Sequence, residues 1–165
     1  MNDETTTAWA CLDDVPESAT KYQYKGCGLD DIYLLNGYDT VQTDHGAGVV
    51  VRDIDGLHRV IGKRLVTNKK ELSGRELRFL RKEMDLTQTE LGRFIGLSSQ
   101  QVARWEKQSV ISQPADYLLR KLYLEHINGQ VSLKELVEEL DDKDSVESGE
   151  NVFCASDGQW RSVAA

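Results

Sequence analysis

The hydrophobic positions of the chain change their period partway along, and that change divides it into parts. Between Leu72 and Leu122 apolar residues recur every three or four places: Leu77, Leu80 and Met84; Leu91, Phe94 and Ile95; Val102 and Trp105; Leu118, Leu119 and Leu122. Such spacing puts each group on one face of a helix. Three of the groups follow a hydroxyl residue with Glu or Gln three places on, namely Ser73 with Glu76, Thr87 with Glu90 and Ser98 with Gln101. Each pair is the signature of a capping box, in which the two side chains satisfy backbone N–H groups at a helix start. Pro114, followed by Asp116, marks a fourth start, because proline suits the first helical turn and a carboxylate suits its positive dipole end.

Upstream the period shortens. Residues 21–24, 32–35 and 48–52 are rich in Tyr, Ile and Val and are separated by turn formers at Gly26, Gly28, Asn36-Gly37, Gly46 and Asp55-Gly56. They predict short strands. Residues 57–66 return to helical spacing, with Leu57, Val60, Ile61 and Leu65 on one stripe. The expected fold is mainly α with a small α+β N-terminal part, a short antiparallel sheet with one helix preceding a five-helix domain. The expected divisions are an unstructured arm at 1–18, the α+β domain at 19–70, the helical domain at 71–127, a C-terminal helix at 128–140 and an acidic, unstructured tail at 141–165. The helix at 128–140 rests on the stripe Leu133, Leu136, Val137 and Leu140. Val152, Phe153 and Trp160 stand out in the tail, either as apolar anchors for a partner or as part of a trailing end with no role.

Only Gly96, Leu97 and Ser98 separate the second and third capped helices. A short glycine-containing turn of this kind sets two helices at a steep angle. Gly92 removes a side chain where they cross. The third helix then holds Val102 and Trp105 inward and presents Ser99, Gln100, Gln101, Arg104 and Lys107 on its other face. Gln and Arg match the hydrogen-bonding edges of adenine and guanine in the major groove.

Net charge is −8 over 165 residues, which by itself argues against a nucleic-acid partner, but the charge is segregated. Residues 58–122 carry 14 basic and 7 acidic groups, whereas residues 1–57 carry 3 and 11 and residues 123–165 carry 3 and 10. Counterion release depends on local contacts, so a basic centre between acidic ends is compatible with DNA binding. Cys11, Cys27 and Cys154 are too far apart for a metal site or a disulfide framework to be expected,. No signal peptide or membrane helix is expected either, which points to the cytoplasm.

The residues offer little for catalysis. Asp30 and Asp31 fall in the turn before Ile32, His58 at a helix start, His45 in a glycine-rich loop and His126 near a helix end. No nucleophile has a nearby base in sequence, so neither an enzyme nor a cofactor is expected.

The segment TQTELGRFIGLSSQQVARWEK resembles the Xre/Cro family of bacterial and phage repressors, in the Gln after the cap, the Gly-apolar-Ser turn and the Val-x-x-Trp-Glu close. The resemblance implies a helix-turn-helix in which Ser99, Gln100 and Arg104 face bases while Gln88, Ser98 and Lys107 face phosphates. It further implies a homodimer on inverted half-sites, for which the exposed side of 114–127, or the helix at 132–140, is the expected contact. The family usually places Gly where this chain has Gln108; a left-handed conformation there would cost about 1 kcal/mol. Residues 22–123 also resemble the MqsA-like antitoxins, whose N-terminal domains bind zinc through paired cysteines. Only Cys27 stands in the corresponding stretch, so zinc is not carried over. That resemblance implies a cognate toxin and repression of its own operon. The rival reading is a protein-interaction module in which DNA binding is weak or lost.

Overall fold

The computed structural model describes residues 20–44, 46–128 and 151–163, and these form two compact units. The first takes the described residues up to Val60 and again those from Asn151; the second begins at Ile61. The expected arm at 1–18, the helix beyond Asn128, the stretch 141–150, Cys11 and His45 lie outside the described residues.

In the first unit the strands are β1 (Tyr22–Gln23), β2 (Ile32–Leu34), β3 (Tyr38–Thr43), β4 (Gly46–Val51), β5 (Asn151–Ser156) and β6 (Gln159–Val163). They make a four-stranded sheet in the order β1-β2-β5-β6 and a separate ribbon of β3 with β4. The larger sheet is mixed, with β1/β2 and β5/β6 antiparallel and β2/β5 parallel. Two expectations are thereby corrected. The sheet is not purely antiparallel, and residues 151–163 of the expected unstructured tail supply half of its strands.

Their composition explains the incorporation. Val152, Phe153 and Cys154 are consecutive and all buried, the continuous apolar run of a strand covered on both faces. Asp157 and Gly158 both have positive φ, at 52° and 70°, as the two-residue turn of a tight hairpin requires. Side chains then tie the hairpin to the distant N-terminal strands. The Asn36 amide donates to the Ala155 carbonyl at 3.1 Å and accepts the Ala155 N–H at 2.6 Å. The Trp160 indole N–H is shared between the carbonyls of Arg52 and Asp53 at 3.1 and 3.0 Å. Cys154 is disulfide-bonded and fully buried, while the Cys27 thiol donates to the Tyr24 carbonyl at 3.8 Å. The wide spacing of the cysteines carries no information on such pairing.

The second unit is helical. After α1 (Ile54–Asn68), which begins in the first unit, come α2 (Gly74–Glu83), α3 (Gln88–Ile95), α4 (Ser99–Trp105) and α5 (Gln113–Asn128). The division falls within α1, not near residue 70 as expected. Leu65 and Val66 are buried with the helices that follow, and a buried cation holds the end of α1 to α5. The Arg120 side chain is fully buried. Its guanidinium pairs with Asp116 and donates to the carbonyls of Val66 at 2.8 Å and of Leu65 and Lys70 at 3.3 Å. Asp116 also accepts the Leu72 N–H at 2.8 Å. A buried charge persists only when paired and hydrogen-bonded; here the partners include the helix-end carbonyls that would otherwise lack donors.

Around this clamp the core is built from Leu72, Leu77, Leu80, Leu91, Val102 and Leu119, each at most 2% exposed. Phe94 departs from the expected inward stripe and is 61% exposed. The eight-residue α3 buries a narrow face at Leu91 and Gly92, and Phe94 lies outside it.

Candidate nucleic-acid interface

All three capping boxes form. In α2 the Ser73 N–H donates to Glu76 at 2.8 Å and the Glu76 N–H returns to the Ser73 hydroxyl at 3.4 Å. The corresponding distances are 2.8 and 3.2 Å for Thr87 with Glu90, and 3.0 and 3.3 Å for Ser98 with Gln101. The Thr87 backbone N–H and then its hydroxyl hold the exposed Glu90 carboxyl below its usual pKa, since hydrogen bonds to the charged form favour it.

The α3–α4 connection has the expected tightness. Gly96 closes α3 in the left-handed region, at φ 69° and ψ 30°, where glycine carries no steric penalty. Leu97 N–H donates back to the Gly92 carbonyl at 2.8 Å, and a Cβ on Gly92 would fall 2.4 Å from the Leu97 oxygen. The exit of α4 differs from the expectation based on Gln108. Its φ is not positive; the positive-φ residues other than glycine are Asp53, Asp85 and Asp157 among the described residues. Instead Lys107 and Gln108 donate to the carbonyls of Arg104 and Trp105, and Gly74 N–H donates to the Gln108 carbonyl at 2.9 Å. The end of α4 is thus stitched to the start of α2.

A second tie fixes α4 against both preceding helices. Arg81 Nε donates to Glu106 at 2.6 Å, and Gln88 Nε2 donates to the other Glu106 oxygen at 2.9 Å. Arg81 also donates to the Leu86 carbonyl at 2.7 Å. The Arg81 and Glu106 side chains are 11% and 7% exposed, so this ion pair sits inside the unit. The sequence reading missed the network: its members are 18 and 25 residues apart, with no local signature.

The structure sorts the six expected contact residues. Gln100, Arg104 and Lys107 are exposed, and their side chains have no hydrogen bond or ion pair among the described residues. Gln100 and Arg104 are four positions apart on α4 and share one face. Ser99 is half-buried at the helix start and Ser98 is exposed, but the Ser98 hydroxyl is engaged with Gln101 in the cap. Gln88 is half-buried and gives its amide to Glu106, so it contributes to positioning α4. Gln101, read as part of the polar face, is the capping partner. Trp105 is half-buried beneath that face, not fully enclosed, whereas Val102 is completely buried.

Three of the other candidate groups are engaged within the first unit. Asp31 accepts from the Asn151 side chain at 2.7 Å, the Asp30 carbonyl accepts from Gln23, and His58 Nε2 lies 2.9 Å from the Tyr24 hydroxyl. Among the described residues no cluster of three His, Cys, Asp or Glu could hold a metal ion. No described helix is long and apolar enough to cross a membrane.

Short capped helices, a left-handed glycine between the second and third, and a third helix with a polar outer face define a helix-turn-helix unit. Residues 77–122 match the model of the family described as Helix-turn-helix, a span covering α3 and α4 and most of α2 and α5. Comparisons with curated proteins and with solved structures gave no match.

Proposed function

We propose that the chain is a sequence-specific reader of double-stranded DNA that regulates transcription as a repressor. The observation that carries this reading is the outer face of α4, where Gln100 and Arg104 stand exposed and uncommitted on a helix whose orientation is fixed at both ends. In this reading Gln100, Arg104 and Ser99 meet base edges, while Lys107, Ser98 and the N-terminal turn of α3 at Gln88 meet phosphates. The protein acts without catalysis, as a homodimer on inverted half-sites spaced by about one DNA turn, roughly 34 Å. The finer assignment, the antitoxin of a toxin pair that represses its own operon, is supported by the resemblance of residues 22–123 alone.

The test is binding to duplex DNA from upstream of the protein's own gene, read by footprinting in rising salt. Gln100→Ala and Arg104→Ala should each cost about 1–3 kcal/mol of specific binding. Lys107→Ala should weaken binding to every sequence and reduce the logarithmic salt slope by about 0.9. Unchanged footprints in both base-contact variants would remove the assignment of α4. Absence of salt-dependent binding in the parent protein would favour a protein-interaction module.

A further inference from the structure

The β3–β4 ribbon is built unlike the rest of the first unit. Its two strands pair over six positions, from Tyr38↔Val51 to Thr43↔Gly46, without a bulge. It forms a sheet of its own, although a two-stranded hairpin is marginal in water without a third strand or a packed face. Apolar side chains are exposed on both its faces: Val49 is 37% exposed, with Val41 at 36% and Val50 at 52%.

The register identifies which backbone groups point outward. Arg52 N–H donates to the Gly37 carbonyl at 2.9 Å, so the pair 37/52 is a hydrogen-bonded one. Antiparallel pairs alternate between bonded and non-bonded; the pairs Tyr38↔Val51, Thr40↔Val49 and Gln42↔Ala47 are therefore non-bonded. On β4 it is Ala47, Val49 and Val51 whose N–H and C=O face away from β3. None of these three has a hydrogen bond among the described residues.

Sheet edges in monomeric proteins are usually blocked by charge, proline or a bulge. β4 reads GAGVVV and carries none of these. We infer that the β4 edge pairs with β4 of a second copy, antiparallel and centred on Val49, joining two ribbons into one four-stranded sheet. In this register Val49 opposes Val49 and Ala47 opposes Val51, and no charge lies within the paired segment. The Arg52 end of each strand meets the Asp44 end of the other, so a guanidinium already held by Asp39 of its own ribbon at 2.8 and 2.6 Å gains a second carboxylate nearby. β3 differs in carrying a charged residue inside its own paired segment, Asp39, which is engaged with Arg52; a charge within the segment is one of the devices that block an edge.

This pairing names a surface for the proposed dimer, but its test uses no DNA, and its failure would leave the reading of α4 untouched. Full-length protein is examined by sedimentation equilibrium over a range of concentrations, beside Val49→Pro and Thr40→Pro. The two substitutions alter the same non-bonded pair, one on each edge, and proline at either position removes only an outward-facing N–H, a position where edge strands accept it. The parent protein and Thr40→Pro should dimerise alike. Val49→Pro should raise the dimer dissociation constant by at least about tenfold, the scale of one or two lost hydrogen bonds. Hydrogen exchange on the parent protein gives a second readout that needs no variant: the amides of Ala47, Val49 and Val51 should gain protection as concentration rises through the dimerisation range. A parent protein that stays monomeric, equal behaviour of the two variants, or unprotected amides at those three positions in the dimer would each overturn the inference.

Discussion

Replacing Glu106 by Ala removes the acceptor for both Arg81 and Gln88 and leaves the Arg81 guanidinium with the Leu86 carbonyl as its remaining partner among those described above. Both members of the pair are about nine-tenths buried, so solvent cannot readily take over. Stranding one partner of a buried ion pair costs about 3–5 kcal/mol, against a total stability of about 5–15 kcal/mol for a domain. With a urea slope of about 2 kcal/mol per molar, the unfolding midpoint should fall by about 2 M. Far-UV circular dichroism during urea titration reads this directly, since the network lies in the helical unit. The double variant Arg81→Met with Glu106→Leu removes both charges and should recover most of the loss, because well-packed apolar side chains can replace a buried pair at little net cost. The reasoning fails if Glu106→Ala costs under about 1 kcal/mol, the range of a solvent-exposed pair. It also fails if the double variant is no more stable than the single one, since the stranded charge would then not be the source of the loss.

Two further outcomes follow from the same geometry. A chain ending at Ser148 loses β5 and β6 and uncovers β2, so the amides of 22–34 should lose their protection from hydrogen exchange while α2–α5 keep theirs; persistent protection at 32–34 would show that the C-terminal hairpin is dispensable. Because its folded pKa is depressed, Glu90 contributes stability that is fully present above the ordinary carboxylate range and is lost as pH falls through the lowered value. Gln at this position can cap without titrating, as Gln101 does in α4. The difference in thermal midpoint between the parent protein and Glu90→Gln should therefore shrink on acidification, and a difference independent of pH would contradict the assignment.

The helix-turn-helix was legible in the sequence because its determinants are local. Each capping box closes across three residues, Gly96 ends α3 by its own backbone conformation, and the outward positions of Gln100 and Arg104 follow from the inward position of Val102. One local signal went unread: Asp157-Gly158 between apolar runs is a hairpin signature, outweighed by the acidic stretch before it. The tertiary structure decided what depends on partners remote in the chain. Arg120 is one more of the basic residues of 58–122 until the carbonyls of Leu65 and Val66, more than fifty residues earlier, are brought to it. Gln88 reads as a phosphate contact until Glu106 claims its amide, and Val152 to Cys154 read as tail residues until β2 pairs beside them. Phe94 obeys the helical period yet faces outward, because period fixes which residues share a face and only packing decides which face is covered. Local hydrogen bonds are written in spacing, whereas the satisfaction of a buried charge or a strand edge depends on which distant groups the fold brings within reach.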